Sequence, residues 1–159
     1  MGILMKSLIL ILSIISSLFS SSQYTFLVNE YDKEIELEAK IIAKIAKSSL
    51  NEDIRLFIPN ITNMEKRVYS KYFLLTKTCE NSNFVFVKNN KEDINSCSQE
   101  NKLFFTNNYK KLLSNRKYFG AFFWNKSRPN IVFIKARLTK EHIKLPKDYD
   151  QFVEDFDER

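Results

Sequence analysis

The chain has 159 residues, a length that fits one domain, and carries 25 Lys and Arg against 19 Asp and Glu for a formal net charge of +6. It holds two Gly, two Cys and one His. A phosphate-cradling P-loop or a dinucleotide fingerprint needs several glycines for close backbone approach, so both are excluded, and with them the commonest enzyme uses of an α/β sheet.

The first segment, MGILMKSLILILSIISSLFSSSQ, sets Lys6 before an apolar and Ser-containing run, Ser7 to Phe19, with small residues at Ser20 and Ser22. A charged start, a run too short to span about 30 Å of hydrocarbon and a small-x-small site read as a secretory signal over 1–22. The expected cut lies between Ser22 and Gln23; an uncleaved N-terminal anchor is the alternative. No Cys stands at the cut, which argues against a lipoprotein anchor. Residues 23–159 then form a single exported domain, with no later run of membrane-spanning length.

DKEIELEAKIIAKIAKSS repeats Ile35, Ala39, Ile42 and Ala46 at helical spacing, widened by Ala43 and Ile45, with Asp32 as the expected cap and Lys44 and Lys47 near the end. DIRLFIP predicts a strand ended by Pro59, which lacks a ladder donor. NITNMEKRVYSK predicts a second helix capped by Thr62 or Asn63, with Met64 and Val68 inward. YFLLTKT fits either a helix extension or a strand, and the strand is favoured. FVFVK and KLFFT are strands of β-branched and aromatic residues, and NNYKKLLSN is a short helix.

YFGAFFW and NIVFIKA flank NKSRP, which predicts a β-hairpin with a four- or five-residue loop. Alternation puts Phe119, Ala121 and Phe123 on one face and Gly120, Phe122 and Trp124 on the other. Both faces are apolar, as in strands covered on both sides, and Gly120 marks a close approach. TKEHIKLP gives a helical turn or two, and YDQFVEDF an amphipathic tail. The expected fold is a single compact α/β sandwich. Its mixed sheet of about five or six strands is flanked by helices and ends in the hairpin and a short C-terminal helix.

Cys79 and Cys97 are the only cysteines, and in an oxidising compartment an isolated pair reads as one disulfide; two buried thiols are the alternative. Charge is segregated. Lys102 to Lys147 holds twelve cations and one anion, Glu141, whereas the tail 148–159 holds six anions and one cation. Such a field favours an anionic ligand, a lipid surface or an acidic protein. A Lys- and Asn-rich composition that scatters Lys over every solvated face is the bland reading of the same count.

Lys126 and Arg128 flank the hairpin tip, and Lys135, Arg137 and Lys140 follow it. With Lys110, Lys111, Arg116 and Lys117, these are the candidate contacts for an anionic ligand or partner. Arg128 and Arg137 lead, because a guanidinium grips carboxylate or phosphate with two parallel bonds. His142 lies in TKEHIKLP without an apolar pocket or a neighbouring Cys and reads as a surface or capping residue. The tail acids lack the spaced Gly and terminal Glu of a calcium loop. Asn60-Ile61-Thr62 and Asn125-Lys126-Ser127 match the glycosylation pattern, which arises by chance in an Asn-rich chain. No catalytic residues, metal site or cofactor are expected, and export argues against nucleic acid.

The order EAKIIAKIAKS, DIRLFI, TCENSNFVFVK, KLFFTNNYKKL and GAFFWNKSRPNIVFIKARLTKEHIKLP, spanning Glu34 to Pro146, resembles the periplasmic YfiR-type domain. The chain departs from that pattern in lacking a Trp-Pro at KSSLNED, a second Gly at Ala121 and cysteines for a second disulfide. The resemblance implies a non-enzymatic periplasmic regulator that binds and restrains a membrane-anchored diguanylate cyclase or sensor. A small periplasmic solute-binding protein for an anionic molecule is the alternative expectation.

Overall fold

The computed structural model describes residues 20–50, 52–88, 94 and 97–156. The expected leader, with Lys6 and the run Ser7–Phe19, lies outside these residues apart from its last positions. The chain divides into two units, Met1–Leu37 and Glu38–Arg159. Helix α1, Ser20–Ser49, begins in the first and ends in the second. It starts upstream of Asp32, so Asp32 does not cap it: no Pro or Gly between Ser20 and Asp32 stops a helix. Among the described residues no helix is long and apolar enough to cross a membrane.

The sheet belongs to the second unit. Its strands are β1 Arg55–Phe57, β2 Leu74–Leu75, β3 Phe84–Val87, β4 Leu103–Thr106, β5 Tyr118–Asn125, β6 Arg128–Ile134 and β7 Val153–Glu154. They lie in the order β2-β1-β3-β4-β5-β6-β7, parallel throughout except for the antiparallel β5–β6 pair. The helices between them are α2 Asn63–Tyr69, α3 Tyr109–Ser114 and α4 Lys135–Lys140, with a 3-10 turn at Lys147–Phe152. Thr62 caps α2 in a reciprocal capping box with Glu65, and Asn108 caps α3.

The α/β class and the terminal hairpin are as the sequence leads one to expect; the sheet has seven strands where five or six were expected. The extra strand comes from the tail. Tyr149 is buried edge-on against Phe133, 5.7 Å between centroids, and this anchors the segment so that Val153 and Glu154 pair with Phe133 and Ile134. The other element boundaries shift as well. Strand β6 ends at Ile134, and α4 occupies the residues expected to finish the strand.

Every residue of β3 and β4 is buried, as a two-sided parallel sheet requires. One face carries Phe84, Phe86, Phe105, Phe119 and Phe133, with successive ring centroids about 5–6 Å apart. From Glu38 onward α1 covers this face: Lys44 lies over the Tyr149 ring, and Glu38 meets Tyr69, which packs on Phe86. The opposite face gathers Val85, Val87, Phe104, Ala121, Val132 and Ile134 under Leu112 of α3 and the Cys79–Cys97 pair.

The hairpin differs from expectation in two ways. Its loop is two residues, Lys126 and Ser127, because Asn125 pairs directly with Arg128. Both loop residues have positive φ, 49° and 59°, the signature of the type I′ turn whose twist matches the flanking strands. Pro129 therefore sits inside the ladder, opposite Trp124.

The second difference is an irregularity in β5. Phe104 pairs with Tyr118 but Phe105 pairs with Gly120, so one extra residue, Phe119, enters the strand. The alternation is broken there. Phe119 joins Phe84, Phe105 and Phe133 on the aromatic face instead of sharing a face with Ala121. Gly120 points to that same face. A Cβ on it would stand 2.6 Å from the Phe105 ring, 2.8 Å from the Phe133 ring and 2.8 Å from the Val132 carbonyl.

Candidate functional site

In doubly wound sheets the strand order reverses between the first strand and its inner neighbour, and ligands bind beyond the carboxyl ends there. In this chain that point lies between β1 and β3, and a buried ion cluster bridges it. Lys88, which follows β3, donates to Glu38 at 2.5 Å and to Glu65 at 2.6 Å. Glu65 also accepts from the amide and hydroxyl of Thr62, at 2.9 and 2.8 Å, and Tyr69 donates its hydroxyl to Glu38 at 2.6 Å. The ammonium lies near the rings of Tyr69 and Phe86 as well.

The electrostatics keep this cluster charged and fixed. Burial presses the Lys88 ammonium down, but the charge and hydrogen bond of Glu38, reinforced by Glu65, outweigh it and hold the pKa above the ordinary lysine value. Burial lifts Glu65, yet the bonds from Lys88 and Thr62 leave its carboxyl below the ordinary range. Burial and then the charge of Glu38 raise the Tyr69 phenol well above its usual value, so it remains a neutral donor. A lysine kept protonated between two carboxylates is a poor nucleophile or base. The cluster acts as a tie between α1, β3 and α2.

These residues were missed as a group by the sequence reading. One signal was present: Glu38 falls inside the apolar stripe, one residue before Ala39 and four before Ile42, where a lone carboxylate needs a buried partner. Lys88 ends an otherwise apolar strand.

The structure separates the cations that the sequence grouped. Lys126 and Arg128 are exposed at the hairpin tip. Lys135 is exposed and pairs with Asp155 of the tail at 3.1 Å. Arg137 is buried at 3% exposure, and its Nη1 donates to the carbonyls of Leu112, Asn115 and Tyr118 at 2.7, 3.1 and 2.7 Å. It closes the end of α3 and stands apart from the exposed tip. Lys117 is likewise engaged: its ammonium lies 4.0 Å from the Phe104 ring centroid and donates to the carbonyls of Ile94 and Cys97. His142 is exposed with φ 54° at the end of α4.

Cys79 and Cys97 are bonded, with Cα atoms 5.9 Å apart, and both lie in the core beneath the sheet. No group of three or more His, Cys, Asp or Glu among the described residues is placed to hold a metal ion.

The β5–β6 ribbon outruns its neighbours. Strand β4 follows β5 only as far as Ala121, and β7 follows β6 only over Phe133 and Ile134. Beyond them, Phe122 to Asn125 pairs only with Arg128 to Ile131. Trp124 is half-buried edge-on against Phe122, and Phe123 packs on Tyr109. The tip is therefore rooted in aromatics and ends in Lys126 and Arg128. The chain matches no protein family, no curated protein and no solved structure.

Proposed function

We propose that this protein is an exported, non-enzymatic regulator that works by binding, as the YfiR-type resemblance implies. Its partner in this reading is the outer part of a membrane-anchored sensor or diguanylate cyclase, and its compartment is the periplasm. The observation that carries the proposal is the overhanging β5–β6 ribbon. It sets exposed Arg128 and half-buried Trp124, two residue types that protein interfaces favour, beside the exposed charge of Lys126 on one cationic, aromatic tip. The Cys79–Cys97 bond is compatible with an oxidising compartment.

The test is capture of a membrane protein from a detergent extract by the purified protein. Wild-type protein retains a defined partner. The Lys126→Glu/Arg128→Glu variant, folded to the same melting temperature, loses it. Equal capture by wild type and variant would remove the hairpin from the interface, and turnover of any substrate would refute the non-enzymatic reading.

A further inference from the structure

With the switch point closed by Lys88 and Glu65, the carboxyl edge of the sheet opens instead beside it. A cleft of about 500 Å³ lies between the loop that follows β1 and the segment that leaves β2. Its wall includes Leu56, Ile58, Ile61 and Leu75, and two cations reach it from different elements, Lys66 from α2 and Lys77 from beyond β2. The size is within the usual range for small-molecule sites, roughly 300–1,000 Å³, and the mixture of apolar wall and few charged groups is the usual chemistry.

The two lysines differ from those described above. Lys88 is bound by two carboxylates and Lys117 by two carbonyls, whereas Lys66 and Lys77 are exposed and carry no ion pair among the described residues. Two uncompensated cations on one concave surface raise its positive potential, and an anion placed there relieves it. Pro59 and Asn60, the latter at φ 49°, shape the loop that forms one side.

From this arrangement we infer that the cleft binds a small organic anion, independently of the hairpin. A carboxylate or phosphate head meets Lys66 and Lys77, and a short apolar body lies against Ile58, Ile61 and Leu75. Bound there, the ligand touches the loop after β1 and Lys66 of α2, the residue next to the Glu65 that is tied to Lys88. Ligand and ion cluster thus share one helix.

Thermal melts of the full chain test the assignment with four probes: hexanoate, phenyl phosphate, n-hexanol and inorganic phosphate. At about a hundredfold excess over Kd, hexanoate or phenyl phosphate raises Tm by roughly 5–10 °C, and whichever is the stronger identifies the preferred head. Hexanol, lacking the charge, and inorganic phosphate, lacking the apolar body, leave Tm unmoved. The Lys66→Ala/Lys77→Ala variant keeps the unliganded Tm and binds at least about tenfold more weakly, the loss expected for charge-assisted bonds. A Lys144→Ala/Lys147→Ala control, at exposed lysines that do not line the cleft, retains full binding. The assignment is overturned if neither organic anion moves Tm, if hexanol matches hexanoate, or if the shift survives loss of Lys66 and Lys77.

Discussion

Lys88 and Glu65 meet at 2.6 Å across the gap between the inner parallel strand and the helix that follows β1, and the same ammonium also holds Glu38. Removing the cation leaves two carboxylates facing each other in the interior. Lys88→Ala should therefore destabilise by about 3–5 kcal/mol, the range for breaking a buried pair. The triple change Lys88→Met, Glu38→Gln, Glu65→Gln should recover much of that loss, since well-packed neutral groups often replace buried ions at little cost. Urea midpoints at constant m decide it. A triple variant as unstable as the single one would show that the elements are held by something other than charge balance.

The same cluster sets a pH dependence. Glu65 has its carboxyl held below the ordinary value in the folded state, so it contributes stability above the unfolded pKa and loses it as pH falls through the depressed folded value. Lys88 is held above its ordinary value; its contribution is complete below the unfolded lysine pKa and disappears only as pH rises through the raised one. Wild-type stability should thus fall in acid, and Glu65→Gln should flatten part of that acid slope. Parallel slopes for the two proteins would contradict the assignment.

Gly120 admits no side chain. Gly120→Ala places a methyl against two phenyl rings and the fixed Val132 carbonyl, and overpacking of this kind costs about 1–3 kcal/mol. The melting temperature should drop by several degrees. An unchanged Tm would mean that β5 can slide and that the irregularity at Phe119 is soft.

The stripe of Ala39, Ile42 and Ala46 and the buried runs FVFV and LFFT were legible because periodicity and continuous apolarity are local signals. The extra residue at Phe119 was not, because a break in alternation depends on how Tyr118 and Gly120 pair with β4, a non-local fact. Glu38 and Glu65, well separated in sequence, meet only through Lys88. Arg137 looked like a ligand-gripping guanidinium by type and neighbourhood; only the arrival of α3 beside it reveals three carbonyls as its partners.

Arg137 gives a discriminating prediction. Arg137→Met removes three charge-assisted bonds to backbone and should cost about 2–4 kcal/mol in urea unfolding, while partner capture per folded molecule stays unchanged. Arg128→Ala should behave oppositely, with stability nearly unchanged and capture lost. An exchange of these two phenotypes would reverse the roles assigned here.

The turn residues offer a gain of stability. Lys126 and Ser127 adopt left-handed backbone that Asn and Gly accept more readily. Lys126→Asn/Ser127→Gly should stabilise the protein by about 1 kcal/mol, read as a raised urea midpoint. No gain would indicate that the tip frays in solution and does not hold the two-residue turn.

That turn also bears on how the chain acquires its shape. Among the described strands, β5 and β6 are joined by two residues, whereas every parallel pairing requires a crossover. A hairpin closes in about 1–10 μs, long before distant strands find one another, and contacts between segments far apart in sequence slow folding. The ribbon that overhangs the finished sheet is thus its natural seed, and β4 would later be guided to its place by the notch at Gly120.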